Sequence, residues 1–541
     1  MSQKELICKL KPYIQPFERR LALMELEAVT RMTPTPETSI LEEPLVYRVI
    51  TSQTLDHLAD TLTYWEVVNS TEVSKGRYTR QIRRESTTNF VRNGVTPDQL
   101  RSRFTNGKDI PLPTRRVLRY GPHGVHEYRG KFFPQLVRSL LNIGGVNRGD
   151  IVLDPMCGSG TAPVEASLLG CQAIGVDINP LSVLMSQAKC SILRINPDLL
   201  ASEYESLKTD ILDAERKNVP LPWFEQLPER DRAYLKSWFS AQVLADLDLI
   251  AIRVHGTSHP ACRDLFRLCL SNILRRVSWQ KESDLRVRKE IRLDADIDAV
   301  NEFINELSRT VRYILAFLYE ESSFEVGVSQ IIEGDARIIA NEDGSLAQFK
   351  EKITAVVTSP PYATALPYLD TDRLSLSYLG LLSRPEHRKR DYEMIGNREI
   401  TETRRREYFL NYQRHRHVLP AEVNAVIDRI YYLNESGEVG FRRRNLASLL
   451  AHYFFDMRQV FQSIVTLLQV DAPAYVVIGN NHTIAGGQRI EIETDRLLGL
   501  IGESVGLHLE QVIPMEMLIS RDIFKNNAVT SETILYFRKP G

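Results

Sequence analysis

Two short segments carry the residue types that can do chemistry. DPMCGSGT, Asp154 to Thr161, follows the apolar run Ile151 to Leu153, and TSPPY, Thr358 to Tyr362, follows Ile353 to Val357. Each reads as the exit of a β-strand, the end at which open α/β sheets bind ligands. In the first, Gly158 and Gly160 allow a sharp turn and close approach to a ligand, and Thr161 starts a helix whose amides point back at the loop. In the second, Pro360 and Pro361 cannot continue a strand or a helix and hold the preceding backbone extended, so carbonyls project from a stiff corner. Ser359 adds a hydroxyl that both donates and accepts, and Tyr362 adds a flat ring. Such a corner can grip a planar ring together with its exocyclic amine.

The glycine loop departs from the dinucleotide fingerprint. A third Gly is missing, and Asp154 stands where a pyrophosphate would be repelled. A ligand with an ammonium tail, a ribose, an adenine and no phosphate suits it better, and S-adenosylmethionine (AdoMet) has that form. Ala173 to Asp177, AIGVD, supplies a second strand ending in a carboxylate about 20 residues on, where a ribose diol is commonly held. Taken singly, each segment also reads as a plain strand-to-helix loop or proline turn; their conjunction favours a ligand site.

The same residues carry a family resemblance. DPMCGSGTAPVEA, GVDINP, EGDAR at Glu333 to Arg337 and TSPPY resemble motifs I, II, III and IV of the AdoMet-dependent amino-methyltransferases of DNA, and HEYRGKFFPQLVRSLL, His126 to Leu141, resembles their motif X. AYVVIGNN, Ala474 to Asn481, looks like motif VI, and SETILYFR, Ser531 to Arg538, like a late strand of the same sheet. The resemblance implies an α/β, Rossmann-like class I methyltransferase sheet with helices on both faces. It implies cofactor contacts at Asp154, Cys157, Gly158, Gly160 and Thr161, with Asp177 at the ribose, Asp335 near the adenine amine, and Lys131 and Phe132 near the methionine end. It places catalysis at Ser359, Pro360, Pro361 and Tyr362, acting on the exocyclic amine of a base flipped out of double-stranded DNA. Ser before Pro-Pro-Tyr is more typical of cytosine N4 enzymes, whereas Asp or Asn more often accompanies adenine N6. The order of motif X, then I to IV, differs from the permuted order of many N4 enzymes. Adenine N6 methylation, guanosine N2 methylation of RNA, and a DNA-binding scaffold without turnover remain alternatives. A restriction or defence partner protein is a further expectation.

The rest of the chain must position these segments. Its 541 residues leave room for more than one domain, and its apolar and charged fractions are those of a globular protein. Six Cys without a CxxC pair argue against a zinc site or a disulfide framework, so no metal is expected, and Cys157 reads as a small buried thiol. No apolar stretch near 18 residues and no signal-peptide pattern occur, so a cytoplasmic location away from membranes is expected.

A net charge of −1 conceals an uneven distribution. Between Ser74 and Arg119 stand Lys75, Arg77, Arg80, Arg83, Arg84, Arg92, Arg101, Arg103, Lys108, Arg115, Arg116 and Arg119, against only Glu85, Asp98 and Asp109. RYTRQIRREST within it reads either as an irregular arm that follows a DNA backbone or as a solvated linker. The organisation expected is an N-terminal extension over 1–118 with this basic arm, a catalytic domain over 119–190 and 326–541, a helical insertion over 191–325, and a basic helical insertion over 384–444. In the last, RPEHRKRDYEMIGNREITETRRREYFLNYQRHRH mixes Arg with Glu, which fits an ion-paired helical surface and a DNA-contacting face equally well. Asp370, Asp372 and Arg373 either line the target pocket or cap a helix.

Overall fold

In the computed structural model, a central sheet is built from β6 (Ile151–Asp154), β7 (Gln172–Asp177), β8 (Ser329–Glu333), β9 (Ala355–Thr358), β10 (Pro473–Gly479), β13 (His508–Glu516) and β14 (Ser531–Arg538). The N-terminal region forms its own sheet from β1 (Lys4–Leu10), β2 (Thr35–Pro36), β3 (Val46–Thr51), β4 (Trp65–Ser70) and β5 (Val73–Tyr78), and β11 (Asn481–Ala485) pairs with β12 (Gln488–Ile492) as a hairpin. The structure describes all residues except 1–2, 38–44, 72, 93, 95, 97–98, 100–101, 103–110, 129, 131–132, 216–220, 282–287, 292–296, 364–367, 398–399, 436–439 and 517–530.

The central order is β13-β14-β10-β9-β6-β7-β8. β8, β7, β6, β9 and β10 run parallel, and β14 runs antiparallel to both β10 and β13. The Rossmann-like class I methyltransferase fold expected from the sequence is therefore present. Helices cover both faces, which is why these strands read as nearly unbroken apolar runs. Alternate residues divide accordingly: Leu153, Val356 and Val476 enter one core, and Val152, Ala355, Val357 and Val477 enter the other. The chain winds outward from β6 in one direction and from β9 in the other, so a topological switch point lies between them, with Leu153 opposite Val356. That register sets the exits of β6 and β9, and hence the two sequence segments, side by side.

Between β7 and β8 the chain forms helices, among them Pro197–Leu212, Ala241–His255, Pro260–Leu274 and Ala299–Glu321, around a core containing Leu244, Phe266, Leu270, Phe303 and Ile314. The 384–444 segment is also helical, with Arg384–Glu393, Glu402–His415 and Ala421–Glu435.

The basic arm is not an arm. RQIRRESTTNFVR forms a helix, Arg80–Arg92, packed against Ala299–Glu321. Arg84 is only 1% exposed and grips Glu321 through two nitrogens at 2.7 and 2.8 Å, and Arg80 pairs with the same carboxylate. Arg83 pairs with Glu320, Arg77 with Asp56 and Asp60, and Arg116 with Glu18. For RYTRQIRREST the expectation of an irregular arm or solvated linker is corrected here, because it forms a packed helix in which acids from distant elements meet Arg80, Arg83 and Arg84. Arg101, Arg103 and Lys108 lie outside the described residues.

Burial alone would raise the Glu321 carboxyl, but Arg84 and Arg80 outweigh it and hold the group at about 2. A depressed carboxyl pKa contributes stability that is complete above its unfolded value, about 4.3, and lost as pH falls through about 2. Urea unfolding of the wild type and of Glu321→Gln is expected to show a stability gap at pH 6 that narrows progressively toward pH 2. A gap independent of pH would refute the pairing.

Candidate active site

The loop after β6 is shaped by glycine where nothing else fits. Gly158 has φ 49°, and a Cβ there would meet the Tyr128 ring at 2.9 to 3.2 Å. Gly160 has φ 80° and lies against Ser186 of the helix Pro180–Ser191, where a Cβ would sit 2.8 Å from the Ser186 Cα. Both are left-handed positions that penalise any side chain. Asp177, at the end of β7, fixes the loop: its Oδ2 accepts from the Gly158 N–H and its Oδ1 from the Asn179 N–H, both at 2.8 Å. Burial pushes its carboxyl up to about 6 despite these donors, so it stays an anion at neutral pH.

These elements open onto one cleft. Cys157, Gly158, Thr161, Asp177, Asp335, Ser359 and Pro361 line it together, although they come from four separate stretches of sequence. One wall comes from the 384–444 segment as Glu393, Met394 and Ile395. Arg337 holds that wall. Its Nη2 donates to the Glu393 carbonyl at 2.7 Å and to Asp335 Oδ2 at 2.6 Å, while its Nη1 donates to the buried Asp456 at 2.9 Å. Asp335 is thus oriented at the cleft by a guanidinium rather than left to solvent.

Other expected contacts do not line the cleft. Asp154 is 2% exposed beneath the loop, accepting from the Met156 N–H at 3.1 Å, and burial raises its carboxyl to about 7. It caps the strand-to-loop turn. Gly160 faces the neighbouring helix, for the packing reason above. Pro360 and Tyr362 stand outside the lining too: the Tyr362 hydroxyl donates to Glu532 of β14 at 2.5 Å. Asn481, at the start of β11, supports the same corner by donating to the Ala363 carbonyl at 3.1 Å. Lys131 and Phe132 lie outside the described residues. Asp370 pairs with Arg373 within the helix Tyr368–Tyr378, and Asp372 accepts from Asn179 at 3.1 Å, so these residues brace the site instead of lining it.

Tyr128 and the Glu393–Ile395 wall are cleft residues that the sequence did not single out. Tyr128 sits inside the motif X block and was discoverable from it. The wall carries no local signal, since Met394 and Ile395 look like any apolar residues after a helix.

All six cysteines are free and buried. Among the described residues, no group of three or more His, Cys, Asp or Glu is placed to hold a metal, and no helix is long and apolar enough to cross a membrane.

Comparison with known proteins bears on the chemistry of this cleft. A family model described as RMKL-like, methyltransferase domain matches residues 125–201, which include the glycine loop and Asp177. The chain is 23% identical over 420 residues to the Type II methyltransferase M.BsoBI of Geobacillus stearothermophilus, across 71% of this chain and 78% of that protein. It is 27% identical over 275 residues to the Type II methyltransferase M.MvaI of Kocuria varians, across 48% of this chain and 58% of that protein. A stretch of 50 residues, 9% of this chain and 14% of the relative, is 48% identical to the tRNA (guanine(10)-N2)-dimethyltransferase of Methanocaldococcus jannaschii.

Proposed function

We propose that this chain, a methyltransferase of the class I fold, transfers the methyl of AdoMet to an exocyclic amine of a base flipped out of duplex DNA, and that the amine is cytosine N4. The observation that carries the reading is the adjacency of the β6 and β9 exits, which brings Gly158, Asp177, Ser359 and Pro361 to one cleft. The relatedness to Type II methyltransferases over 71% of the chain supports DNA modification within a restriction-modification setting, with a cognate nuclease as the expected partner. In this reading 119–190 and 326–541 form the catalytic unit, and 191–325 and 384–444 are its insertions.

AdoMet fits the residues present. The loop runs close to Tyr128, which a Cβ at Gly158 would meet and which lines the same cleft, and Asp177 offers an anion for ribose hydroxyls. When bound, AdoMet supplies an electrophilic methyl group on a sulfonium. Asp335, oriented by Arg337, is assigned to the adenine amine, and Cys157 and Thr161 to the loop side of the ligand. Lys131 and Phe132 are assigned to the methionine end. Ser359 and the Pro360 carbonyl accept from the target amine, drawing its lone pair out of conjugation with the ring. Tyr362, anchored by Glu532, stacks on the extruded base. Once methylated, the nitrogen is acidic, so a hydroxyl or water relays its proton and no strong base is needed. Positioning and electrostatics carry the rate.

The 50-residue match to a tRNA enzyme favours guanosine N2 of RNA as the second reading. Incubating the protein with methyl-labelled AdoMet and, separately, duplex DNA, single-stranded DNA and tRNA distinguishes these readings. Label in duplex DNA that digests to N4-methylcytidine deoxynucleoside is the expected result. Label in N6-methyladenine removes the cytosine assignment, and label only in tRNA removes the DNA reading.

Gly158→Ala is expected to weaken AdoMet binding about tenfold by calorimetry, since a left-handed Cβ costs roughly 1–2 kcal/mol and here it also displaces Tyr128. Unchanged affinity would show that the loop does not touch the cofactor.

A further inference from the structure

The proposed reaction needs an element that holds duplex DNA over the cleft, and arginines occur in the stretch after β5, in the first insertion and over 384–444. In the stretch after β5, Arg80 and Arg84 are buried against Glu321 and unavailable to DNA. In the first insertion Arg276 is engaged by Glu302 and Glu306. The segment over 384–444 differs in two ways, being part of the cleft itself and presenting an open polar helix face.

Continuity with the cleft is direct. Glu393, Met394 and Ile395 line it, and a Cβ on Gly396 would lie 3.2 Å from both Pro361 Cβ and the Tyr362 carbonyl. The helix Glu402–His415 begins seven residues beyond Ile395, so its start lies within about 25 Å of the cleft at full chain extension. Its inner face is firmly seated. Tyr412 is fully buried, Phe409 stacks on Tyr431 at 3.9 Å, and Tyr408 stacks on His452 at 4.0 Å. His452 approaches Asp456, the residue that also holds Arg337 at the cleft. One chain of contacts therefore joins this helix to the wall of the cofactor site.

The outer face is polar and exposed. Thr403, Arg406, Glu407, Leu410, Asn411 and Arg414 fall within an arc of about 140° at 100° per residue. All six are solvent-exposed, and Arg414 has no acidic partner among the described residues. Arg406 reaches back only to Glu402, at 3.1 Å, and stays 72% exposed. Two arginines, an asparagine, a threonine and a glutamate are the side chains that read base edges and phosphates, and Leu410, half exposed, suits a thymine methyl. A helix of this kind fits a major groove of about 12 Å.

We infer that the outer face of Glu402–His415 is the duplex-DNA contact of this enzyme, laid in the major groove beside the flipped base. The inference rests on the DNA reading above. The test compares the wild type with Arg406→Ala/Arg414→Ala, and with Arg194→Ala/Arg230→Ala as a control at exposed positions of the first insertion. Each protein is assayed for methyl transfer to plasmid DNA, for AdoMet binding by calorimetry, and for the salt dependence of binding to a 30-base-pair duplex. Expected for the first variant are at least a tenfold loss of transfer, unchanged AdoMet affinity, and a salt slope smaller by about 2, one unit per lost phosphate contact. The control keeps wild-type values. If the wild type methylates plasmid and the Arg406/Arg414 variant does so equally with an unchanged slope, this assignment alone is overturned. If the wild type binds AdoMet and labels only tRNA, both this assignment and the DNA reading fall. Equal loss in the control also overturns it, because the effect is then one of general charge.

Discussion

Arg84→Met is expected to lower the free energy of unfolding by about 3 kcal/mol, the low end of the cost of breaking a buried ion pair from one side. Arg84 meets Glu321 as a two-toothed fork, and its guanidinium stands 5.8 Å from the Phe317 ring. Removing it leaves Glu321 buried with Arg80 alone, which is why the cost falls at the low end. Arg80 stays charged at neutral pH and pairs with the same carboxylate, so Glu321 is not left wholly without a partner. Taking out both partners, in Arg84→Met/Glu321→Met, is expected to recover part of the loss, since apolar side chains of similar volume do not strand a charge. Urea denaturation of the three variants reads the effect directly. A loss below about 1 kcal/mol in the single variant would place the pair in the range of surface salt bridges and contradict its burial. Because this pair joins the helix Arg80–Arg92 to Ala299–Glu321, the loss is expected to spread to both segments.

Asp177→Ala is expected to weaken AdoMet binding by about 3 kcal/mol, roughly 150-fold, with transfer falling in proportion at subsaturating cofactor. The carboxylate holds the Gly158 and Asn179 amides and is the charged acceptor assigned to the ribose. Its removal therefore strands two N–H groups and loosens the glycine loop while deleting the ligand contact. Asp177→Asn separates these effects, because it keeps one amide acceptor and loses the charge. A pH dependence follows from burial, which sets this carboxyl at about 6. The anion is the better acceptor, so wild-type affinity is expected to fall as pH drops through about 6 and to hold steady above 7. The alanine variant is expected to lack that inflection. Calorimetry at pH 5 and pH 7.5 decides the matter, and parallel profiles in both proteins would remove Asp177 from the cofactor site.

The polar face assigned to DNA bears on how specificity is divided. Arg337 bonds at once to Asp335, Asp456 and the carbonyl of Glu393, and Asp456 is also approached by His452, on which Tyr408 of the helix assigned to DNA stacks. Cofactor binding and DNA contact are therefore expected to be coupled through Arg337.

The sequence by itself determined the strand exits, the glycine loop, the carboxylate at Asp177 and the proline corner. These are local features, written in a few consecutive residues whose backbone demands do not depend on distant partners. It also determined the covered parallel sheet, since unbroken apolar runs such as Ala355–Thr358 suit strands buried on both faces. Only the tertiary structure decided which arginines are surface and which are core. Arg84 and Arg406 look alike in sequence, yet one meets Glu321, 237 positions away, and the other faces water. It likewise decided that Asp154 lies beneath the loop, that Gly160 serves helix packing, and that Glu393, Met394 and Ile395 complete the cleft. The physical reason is common to all of these. Burial and charge pairing are set by residues far apart in the chain, and no local pattern records which of them will meet.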